Sequence, residues 1–168
     1  MSELNPVRIA VIGAGAMGRN HIRFVTEEPE AELVAIADAF EGARATTEAA
    51  GVPFYTDPAQ MMDEAKPEGV IIATPNDLHL GVAREAVKRN IVPLIEKPIS
   101  NDLEDAQAFA AEAETASVPV LVGQHRRHNP FVNKAKEIIE SGELGKLTVS
   151  SFHYMIYKND EYFDVEWR

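Results

Sequence analysis

The sequence of 168 residues contains no cysteine, which excludes disulfide bonds, thiolate metal sites and cysteine nucleophiles. It also has no long apolar run: stretches such as 9–12 and 70–73 are of strand length, whereas a membrane-spanning helix needs about 20 apolar residues. The N-terminal segment MSELNP lacks the basic and apolar regions of a secretion signal. These absences favour a soluble, cytoplasmic protein.

Basic residues are scarce, with 16 Lys and Arg against 27 Asp and Glu, and the net charge is −11. This charge disfavours a general surface for nucleic acid or for an anionic membrane. The rest of the composition, 45% hydrophobic and 26% charged, is that of an ordinary globular domain. A chain of this length buries enough surface to form a core without cross-links.

Short apolar runs alternate along the chain with longer helix-like stretches. Strands are predicted at 7–12, 33–37, 53–55, 70–73, 92–95 and 118–122, and helices at 16–28, 40–50, 58–64 and 76–89. A further, alanine-rich helix ends near Ala116 and follows a predicted capping box of Asn101 and Glu104. The apolar runs do not alternate strictly, which is typical of strands buried on both faces. The pattern predicts a doubly wound α/β domain with a parallel sheet of about six strands.

The pattern changes after Gly123. A polar stretch leads into a predicted helix from Pro130 to about 141, and residues 146–157 are predicted as one long strand. A single strand has open edges that need partners and does not make a domain by itself. We therefore assign residues 1–124 to one domain, and residues 125–168 to a linking helix and the first strand of a truncated second α/β domain.

Gly13, Gly15 and Gly18 form a G-x-G-x-x-G pattern between the first predicted strand and the first predicted helix. In that context the first glycine makes the tight turn, the second lets the backbone approach a pyrophosphate, and the third permits close packing of helix and strand. The anion would lie at the positive end of the helix. The alternative is a glycine-rich turn that binds no ligand.

Asp38 ends the second predicted strand, twenty residues after Gly18. At that spacing a carboxylate accepts hydrogen bonds from both hydroxyls of an adenosine ribose and would repel a 2′-phosphate. Ala39 and Phe40 offer no balancing cation, although Arg44 lies one helical turn further on. NAD is therefore expected rather than NADP. The alternative role of Asp38 is to cap the following helix.

Two further polar elements follow the carboxyl ends of predicted strands, where open α/β sheets bind ligands. The first is residues 74–76 (TPN) with His79, which by themselves indicate a helix cap and a surface histidine. The second is residues 96–98 (EKP). Its Lys97 could hydrogen-bond a substrate hydroxyl or carbonyl and assist proton transfer, or could be a solvated lysine beside a turn proline.

Together the glycine loop, the TPN element with its histidine, the EKP element and residues 123–127 (GQHRR) resemble the Gfo/Idh/MocA oxidoreductases, the family of glucose-fructose oxidoreductase and inositol dehydrogenase. The resemblance covers essentially the whole chain in the right order. It implies an N-terminal Rossmann domain that binds NAD, followed by a second α/β domain that covers the substrate and often forms the subunit interface. The implied activity is hydride transfer between nicotinamide and a secondary alcohol of a polyol, sugar or inositol-like substrate, in a homo-oligomer.

The resemblance also implies roles for individual residues. Lys97 matches the family lysine near the reacting carbinol and is the expected catalytic residue, and Arg126 would touch cofactor or substrate. The expected cofactor-binding residues are Gly13, Gly15, Ala16, Met17, Asp38, Thr74, Asn76, His79, Glu96, Lys97 and Gln124. The first four would hold the pyrophosphate, and those after Asp38 would lie along the nicotinamide half. The family's usual catalytic aspartate and histidine have no match here, so this chain alone is expected to be inactive.

Other interpretations use some of the same residues. A dinucleotide-binding or sensing protein without turnover, or a related Rossmann reductase with a different substrate, would need the same cofactor residues. Nucleic-acid binding through residues 125–128 (HRRH) is disfavoured by the net charge and by the lack of interleaved aromatic residues. No metal is expected, because no pair of histidines has the i, i+4 spacing with a partner carboxylate.

Overall fold

The computed structural model describes residues 5–164. Within this range six strands form one parallel sheet: β1 (Val7–Ile12), β2 (Ala31–Ala37), β3 (Phe54–Tyr55), β4 (Gly69–Ile72), β5 (Val92–Ile95) and β6 (Leu121–Val122). Their order is β3-β2-β1-β4-β5-β6, so the direction of winding reverses between β1 and β4. This is the strand order of a doubly wound dinucleotide-binding sheet, and it confirms the predicted fold class.

Within the described range, five α-helices lie between the strands in the chain, and a sixth comes after the last strand. They are α1 (Ala16–Glu27), α2 (Ala43–Thr47), α3 (Pro58–Ala65), α4 (His79–Lys88), α5 (Leu103–Ala116) and α6 (Pro130–Glu140). Among the residues that the structure describes, no helix is long and apolar enough to cross a membrane.

The central strands are buried on both faces, as their unbroken apolar runs predict. Ala10 and Val11 of β1 are neighbours that point to opposite faces, and both are fully buried. The core on one face includes Phe109 of α5 and Met61 of α3, which are also buried. The sheet is therefore a rigid support, and the loops at the carboxyl ends of its strands carry the candidate site.

The cap of α5 is one residue later than predicted. Asp102, rather than Asn101, is the N-cap: it has an extended backbone, and its side chain accepts a hydrogen bond from the amide of Asp105 at 2.9 Å. A carboxylate at this position satisfies a free helix amide and also interacts favourably with the helix dipole. The predicted pairing of Asn101 with Glu104 is therefore wrong.

Several other predicted bounds shift at the edges of the sheet. The helix predicted at 40–50 is the short α2 followed by a 3₁₀ turn at Glu48–Ala50, and Gly51 ends it in a left-handed conformation. The last strand of the sheet covers only two residues of the predicted 118–122, because β6 pairs with β5 through those two residues alone in the described chain.

Beyond Gly123, where the first unit ends, the described residues 124–164 belong to a second compact unit. The predicted helix of this unit is present as α6, which Asn129 caps by accepting a hydrogen bond from the amide of Phe131 at 2.9 Å. The predicted strand at 146–157 is wrong, because these residues form no strand in the structure. Their alternating apolar side chains have no neighbouring strand within the described chain, and a strand requires a hydrogen-bonded partner. The assignment of this unit to a second α/β domain stays a prediction.

Candidate functional site

The loop between β1 and α1 is shaped by its first and third glycines. Gly13 has φ +92°, and a Cβ there would lie 2.6 Å from the carbonyl oxygen of Ala73. A Cβ at Gly18 would overlap the carbonyl oxygen of Gly13. At Gly15, by contrast, a Cβ would meet nothing within 4 Å. The first and third glycines therefore hold the loop against the sheet, while the second leaves open space beside the backbone.

The N-terminus of α1 adjoins this open space. The helix has no side-chain cap in the described structure and no acidic residue in its first turn. The first amides of a helix lack partners within the helix, and the helix dipole gives this end a partial positive charge. The backbone of Ala16 and Met17, the first two residues of α1, is thus suited to hold an anion such as a pyrophosphate.

Asp38 lies beside the glycine loop at the end of β2. Its Oδ2 accepts a hydrogen bond from the amide of Ala14 at 2.7 Å, and its Oδ1 accepts one from the amide of Phe40 at 2.8 Å. Two backbone groups therefore fix the half-buried carboxylate in place. A carboxylate has about four lone-pair sites, so each oxygen retains capacity to accept from a ribose hydroxyl.

Arg44, the cation that would favour a 2′-phosphate, already has partners. Its guanidinium donates to Glu41 Oε1 at 2.7 Å and lies over the ring of Phe54, 4.8 Å from the centroid. An incoming phosphate would have to compete with the Glu41 carboxylate for this guanidinium.

The polar element after β4 ranges from exposed Pro75 to buried His79. The hydroxyl of Thr74 is buried and has no hydrogen-bond partner within the described structure. Asn76 is half-buried and begins a 3₁₀ turn. His79 is only 1% exposed, with Nδ1 2.8 Å from the carbonyl oxygen of Pro98 and Nε2 3.0 Å from that of Thr74. His79 is therefore not a surface residue; it joins the end of β4 to the turn after β5.

Glu96 and Lys97, which follow β5, have opposite environments. Glu96 is 8% exposed; its Oε1 accepts from His21 Nε2 at 2.9 Å, and its Oε2 accepts from the amide of Lys97 at 3.2 Å. Lys97 is exposed and precedes Pro98 through a cis peptide bond. Within residues 5–164 no hydrogen bond or ion pair engages the Lys97 ammonium, whereas the Glu96 carboxylate is held from inside the protein.

The parallel sheet brings four of these elements to one edge. The glycine loop, Asp38, the segment that begins at Thr74 and the segment that begins at Glu96 follow β1, β2, β4 and β5, whose carboxyl ends lie together. Gln124 and Arg126 belong to the second unit. There Gln124 is exposed, and the guanidinium of Arg126 lies 4.4 Å from the ring centroid of Tyr154.

Sequence reasoning missed His21. Its contact with Glu96 spans 75 positions along the chain, so no local pattern indicates the pair. One signal was available: His21 follows Gly18 by three residues, and residues at i and i+3 of a helix share a face. Because Gly18 must face the sheet, His21 on the same face of α1 was a candidate for a contact with a strand end.

The sheet order, the glycine loop and the carboxylate at the end of β2 define a dinucleotide-binding domain of the doubly wound class. A family model described as the oxidoreductase family with an NAD-binding Rossmann fold (GFO_IDH_MocA) matches residues 7–124, and the chain belongs to this family. The predicted family and its nicotinamide dinucleotide-binding fold are thereby confirmed.

Curated relatives and solved structures are consistent with this assignment. The rhizopine catabolism protein MocA of Rhizobium meliloti is 32% identical over 148 residues, which cover 88% of this chain and 47% of that protein. The scyllo-inositol 2-dehydrogenase (NAD(+)) of Bacillus subtilis is 32% identical over 143 residues, which cover 83% of this chain and 42% of that protein. This chain thus spans about half the length of the curated relatives it matches.

A crystal structure of scyllo-inositol dehydrogenase from Lactobacillus casei with bound NAD(H) and scyllo-inositol has the same fold. The TM-score is 0.81 at 22% sequence identity, and the match covers 86% of this chain and 44% of the other.

Proposed function

We propose that this chain provides the dinucleotide-binding part of an NAD-dependent oxidoreductase that transfers a hydride between nicotinamide and a secondary alcohol of a polyol, sugar or inositol-like substrate. The observation that carries the proposal is the convergence of the glycine loop, Asp38 and Lys97 at one edge of the sheet, in a chain of this family. Relatives named for inositol and scyllo-inositol support the substrate class. The proposed protein is a cytoplasmic homo-oligomer.

The preference for NAD over NADP rests on Asp38. Its carboxylate, fixed by the amides of Ala14 and Phe40, would accept hydrogen bonds from the two ribose hydroxyls and would repel a phosphate there. Arg44 does not offset this repulsion, because its guanidinium already pairs with Glu41.

The cofactor would be held along the whole edge. The open space at Gly15 and the first two amides of α1, those of Ala16 and Met17, suit the pyrophosphate, and Gly13 shapes the loop around it. Thr74, whose buried hydroxyl lacks a partner in the described chain, would line the nicotinamide half together with Asn76, and the cofactor-binding role of Gln124 stays a prediction. When bound, NAD supplies the ring that accepts or returns the hydride.

Lys97 is the proposed catalytic residue of this chain. Its ammonium is exposed at the end of β5 and has no partner within the described residues, so it can donate a hydrogen bond to the oxygen of the reacting carbinol. Such a donor stabilises the negative charge that develops on that oxygen as its proton leaves.

A titration and a turnover assay test the proposal. The chain, and a longer protein that contains it, would be titrated with NADH and then assayed for NAD reduction over a panel of polyols and sugars. Lys97→Ala is expected to lower kcat far more than NADH affinity, and Lys88→Ala, an exposed lysine at the end of α4, is the matched control. Absence of NADH binding would overturn the proposal. Tight binding without turnover in either protein would instead favour a dinucleotide sensor.

A further inference from the structure

The turn at residues 96–98 is held by two histidines that lie far from it in the sequence. His21 comes from α1, and His79 begins α4. They contact the turn at different points: His21 at the Glu96 side chain, and His79 at the Pro98 carbonyl. The side chain between these two contacts is that of Lys97.

The first contact passes through Glu96. A carboxylate can only accept, so His21 Nε2 donates to Oε1 across 2.9 Å, and the two side chains are 18% and 11% exposed. The other oxygen, Oε2, accepts from the amide of Lys97 at 3.2 Å. A Cβ at Gly123 would lie 3.2 Å from Oε1, so a side chain at that position would crowd this carboxylate. His21 is therefore connected to the backbone of Lys97 through one buried carboxylate.

The second contact fixes the other end of the turn. Two carbonyl oxygens face the buried ring of His79, that of Pro98 at 2.8 Å and that of Thr74 at 3.0 Å. Carbonyl oxygens accept and do not donate, so a neutral ring, which carries one N–H, donates to one of the two carbonyls and contacts the other. His79 thus fixes the distance between the Lys97–Pro98 turn and the segment that begins at Thr74.

We propose that His21 and His79 are positioning residues for Lys97. The inference rests on the proposed function of Lys97 as the group that contacts the carbinol oxygen. Because no contact within the described chain holds the Lys97 ammonium, its position depends on the backbone of the turn, and the two histidines fix that backbone. A displacement of about 1 Å in a catalytic group can cost on the order of a hundredfold in rate.

The proposal gives Glu96 and His79 a different role from the one that family resemblance implies. Both oxygens of Glu96 and both ring nitrogens of His79 are engaged by the protein itself. We assign both residues the role of holding the turn, in addition to any contact with the dinucleotide. Their loss should therefore affect kcat before it affects the affinity for NADH.

Variants at His21 separate positioning from folding. His21→Leu removes the donor, whereas His21→Gln keeps an N–H close to the position of Nε2. Arg23→Gln is the matched control, since it breaks an exposed ion pair with Glu27 on the same helix and has no contact with the turn. In the longer protein that contains this chain, we expect His21→Leu to lower kcat by about ten- to a hundredfold with little change in NADH affinity. His21→Gln should recover most of the loss, and Arg23→Gln should match the unmutated protein.

His79 requires a milder change because it is buried. His79→Gln keeps an N–H donor on a side chain of similar length, and we expect it to lower kcat in the longer protein while NADH affinity is retained. If this variant fails to fold, the His21→Leu and His21→Gln variants alone test the proposal. A parallel fall of kcat and NADH affinity in His21→Leu, without recovery in His21→Gln, would overturn the proposal.

A second readout needs neither cofactor nor substrate. In the ¹⁵N-labelled chain, His21→Leu should shift the amide resonance of Lys97, because that amide donates to the carboxylate that His21 holds. Arg23→Gln should leave it in place. Absence of turnover in the longer protein that contains this chain would refute the proposed oxidoreductase activity, and the amide shift would still decide whether His21 fixes the turn. An unchanged Lys97 amide in His21→Leu would overturn the proposal.

Discussion

The two halves of the candidate site are constructed differently. At the ends of β1 and β2, the glycine loop presents backbone amides and open space, and Asp38 is fixed by backbone donors. At the ends of β4 and β5, buried side chains hold the backbone from within, as His21 and His79 do for the turn that carries Lys97. The first half therefore depends on the absence of side-chain atoms, and the second depends on their presence. Side-chain atoms added to the glycine loop should therefore impair the first half of the site. Loss of the side-chain contacts that hold the backbone should impair the second half.

The largest expected effect is that of an added methyl group in the glycine loop. Gly18→Ala places a Cβ on the carbonyl oxygen of Gly13 and should lower the free energy of unfolding by about 3 kcal/mol. Gly15→Ala is the matched control, because its Cβ would meet no atom of residues 5–164 within 4 Å. It should leave the Tm unchanged but weaken NADH binding by about tenfold or more, by occupying the space that the pyrophosphate needs.

Thermal unfolding followed by circular dichroism, and titration followed by NADH fluorescence, measure these two effects. Unimpaired NADH binding by Gly15→Ala would contradict the account of the first half. A Gly18→Ala variant as stable as the unmutated chain would contradict the packing argument.

Asp38→Ala should change cofactor preference. The unmutated chain is expected to bind NAD more tightly than NADP, and the variant should narrow that difference in affinity by about tenfold. The variant loses two charge-assisted hydrogen bonds to the ribose hydroxyls of NAD, and it also loses the repulsion of the 2′-phosphate of NADP. Affinity for NAD should fall as well, since the amide of Ala14 loses its acceptor. Calorimetric titration with both cofactors measures the difference. Equal affinities in the unmutated chain would show that Asp38 does not select the cofactor.

Thr74→Val tests the second half by removing an unpaired hydroxyl. A buried polar group without a hydrogen bond costs about 1–3 kcal/mol, so the nearly isosteric valine should raise the stability of the cofactor-free chain by about 1 kcal/mol. If the hydroxyl takes part in binding the nicotinamide half, NADH affinity falls at the same time. Thr115→Val, on the exposed face of α5, is the control for a hydroxyl that already has a partner, the carbonyl of Ala111. Lower stability in Thr74→Val would argue that the hydroxyl has a partner.

The smallest expected effect lies outside both halves. Arg89, which follows α4, pairs with Asp63 and Glu85. The hydrogen bond from Arg89 lowers the pKa of Asp63 below its ordinary 3.8, and hydrogen bonds from Lys88 and then Arg89 lower the pKa of Glu85 below its ordinary 4.5. Arg89→Gln should therefore cause a small loss of Tm at neutral pH.

The pH dependence of that loss follows from the direction of the shifts. A carboxylate with a lowered pKa in the folded state stabilises the fold above its ordinary pKa, and the contribution disappears as the pH falls through the lowered value. The Tm difference between Arg89→Gln and the unmutated chain should therefore shrink as the pH falls below 4.5 and then below 3.8. A difference that does not change with pH would contradict the assigned ion pairs. NADH affinity should stay the same.

The sequence predicts the first half of the site better than the second. The glycine loop and Asp38 lie close together in the chain, and their spacing alone indicates their arrangement. The burial of His79 and its contact with Pro98 depend on packing between elements, as does the pairing of His21 with Glu96. Local patterns do not contain that information.

The same distinction explains the incorrect strand at 146–157. Its alternating apolar residues predict a half-buried strand, but a strand needs a neighbour, and the described chain supplies none. The six strands of the sheet were predictable because each is flanked by elements that complete the α/β pattern.

The central claim is that one dinucleotide lies across both halves, along the carboxyl ends of the strands. The most direct measurement is the change in backbone amide resonances of the ¹⁵N-labelled chain on titration with NADH. We expect large shifts at Gly15, Asp38, Thr74 and Lys97, and none at Val92, at the opposite end of β5. Shifts confined to the opposite edge of the sheet, or no shifts at saturating NADH, would contradict the account.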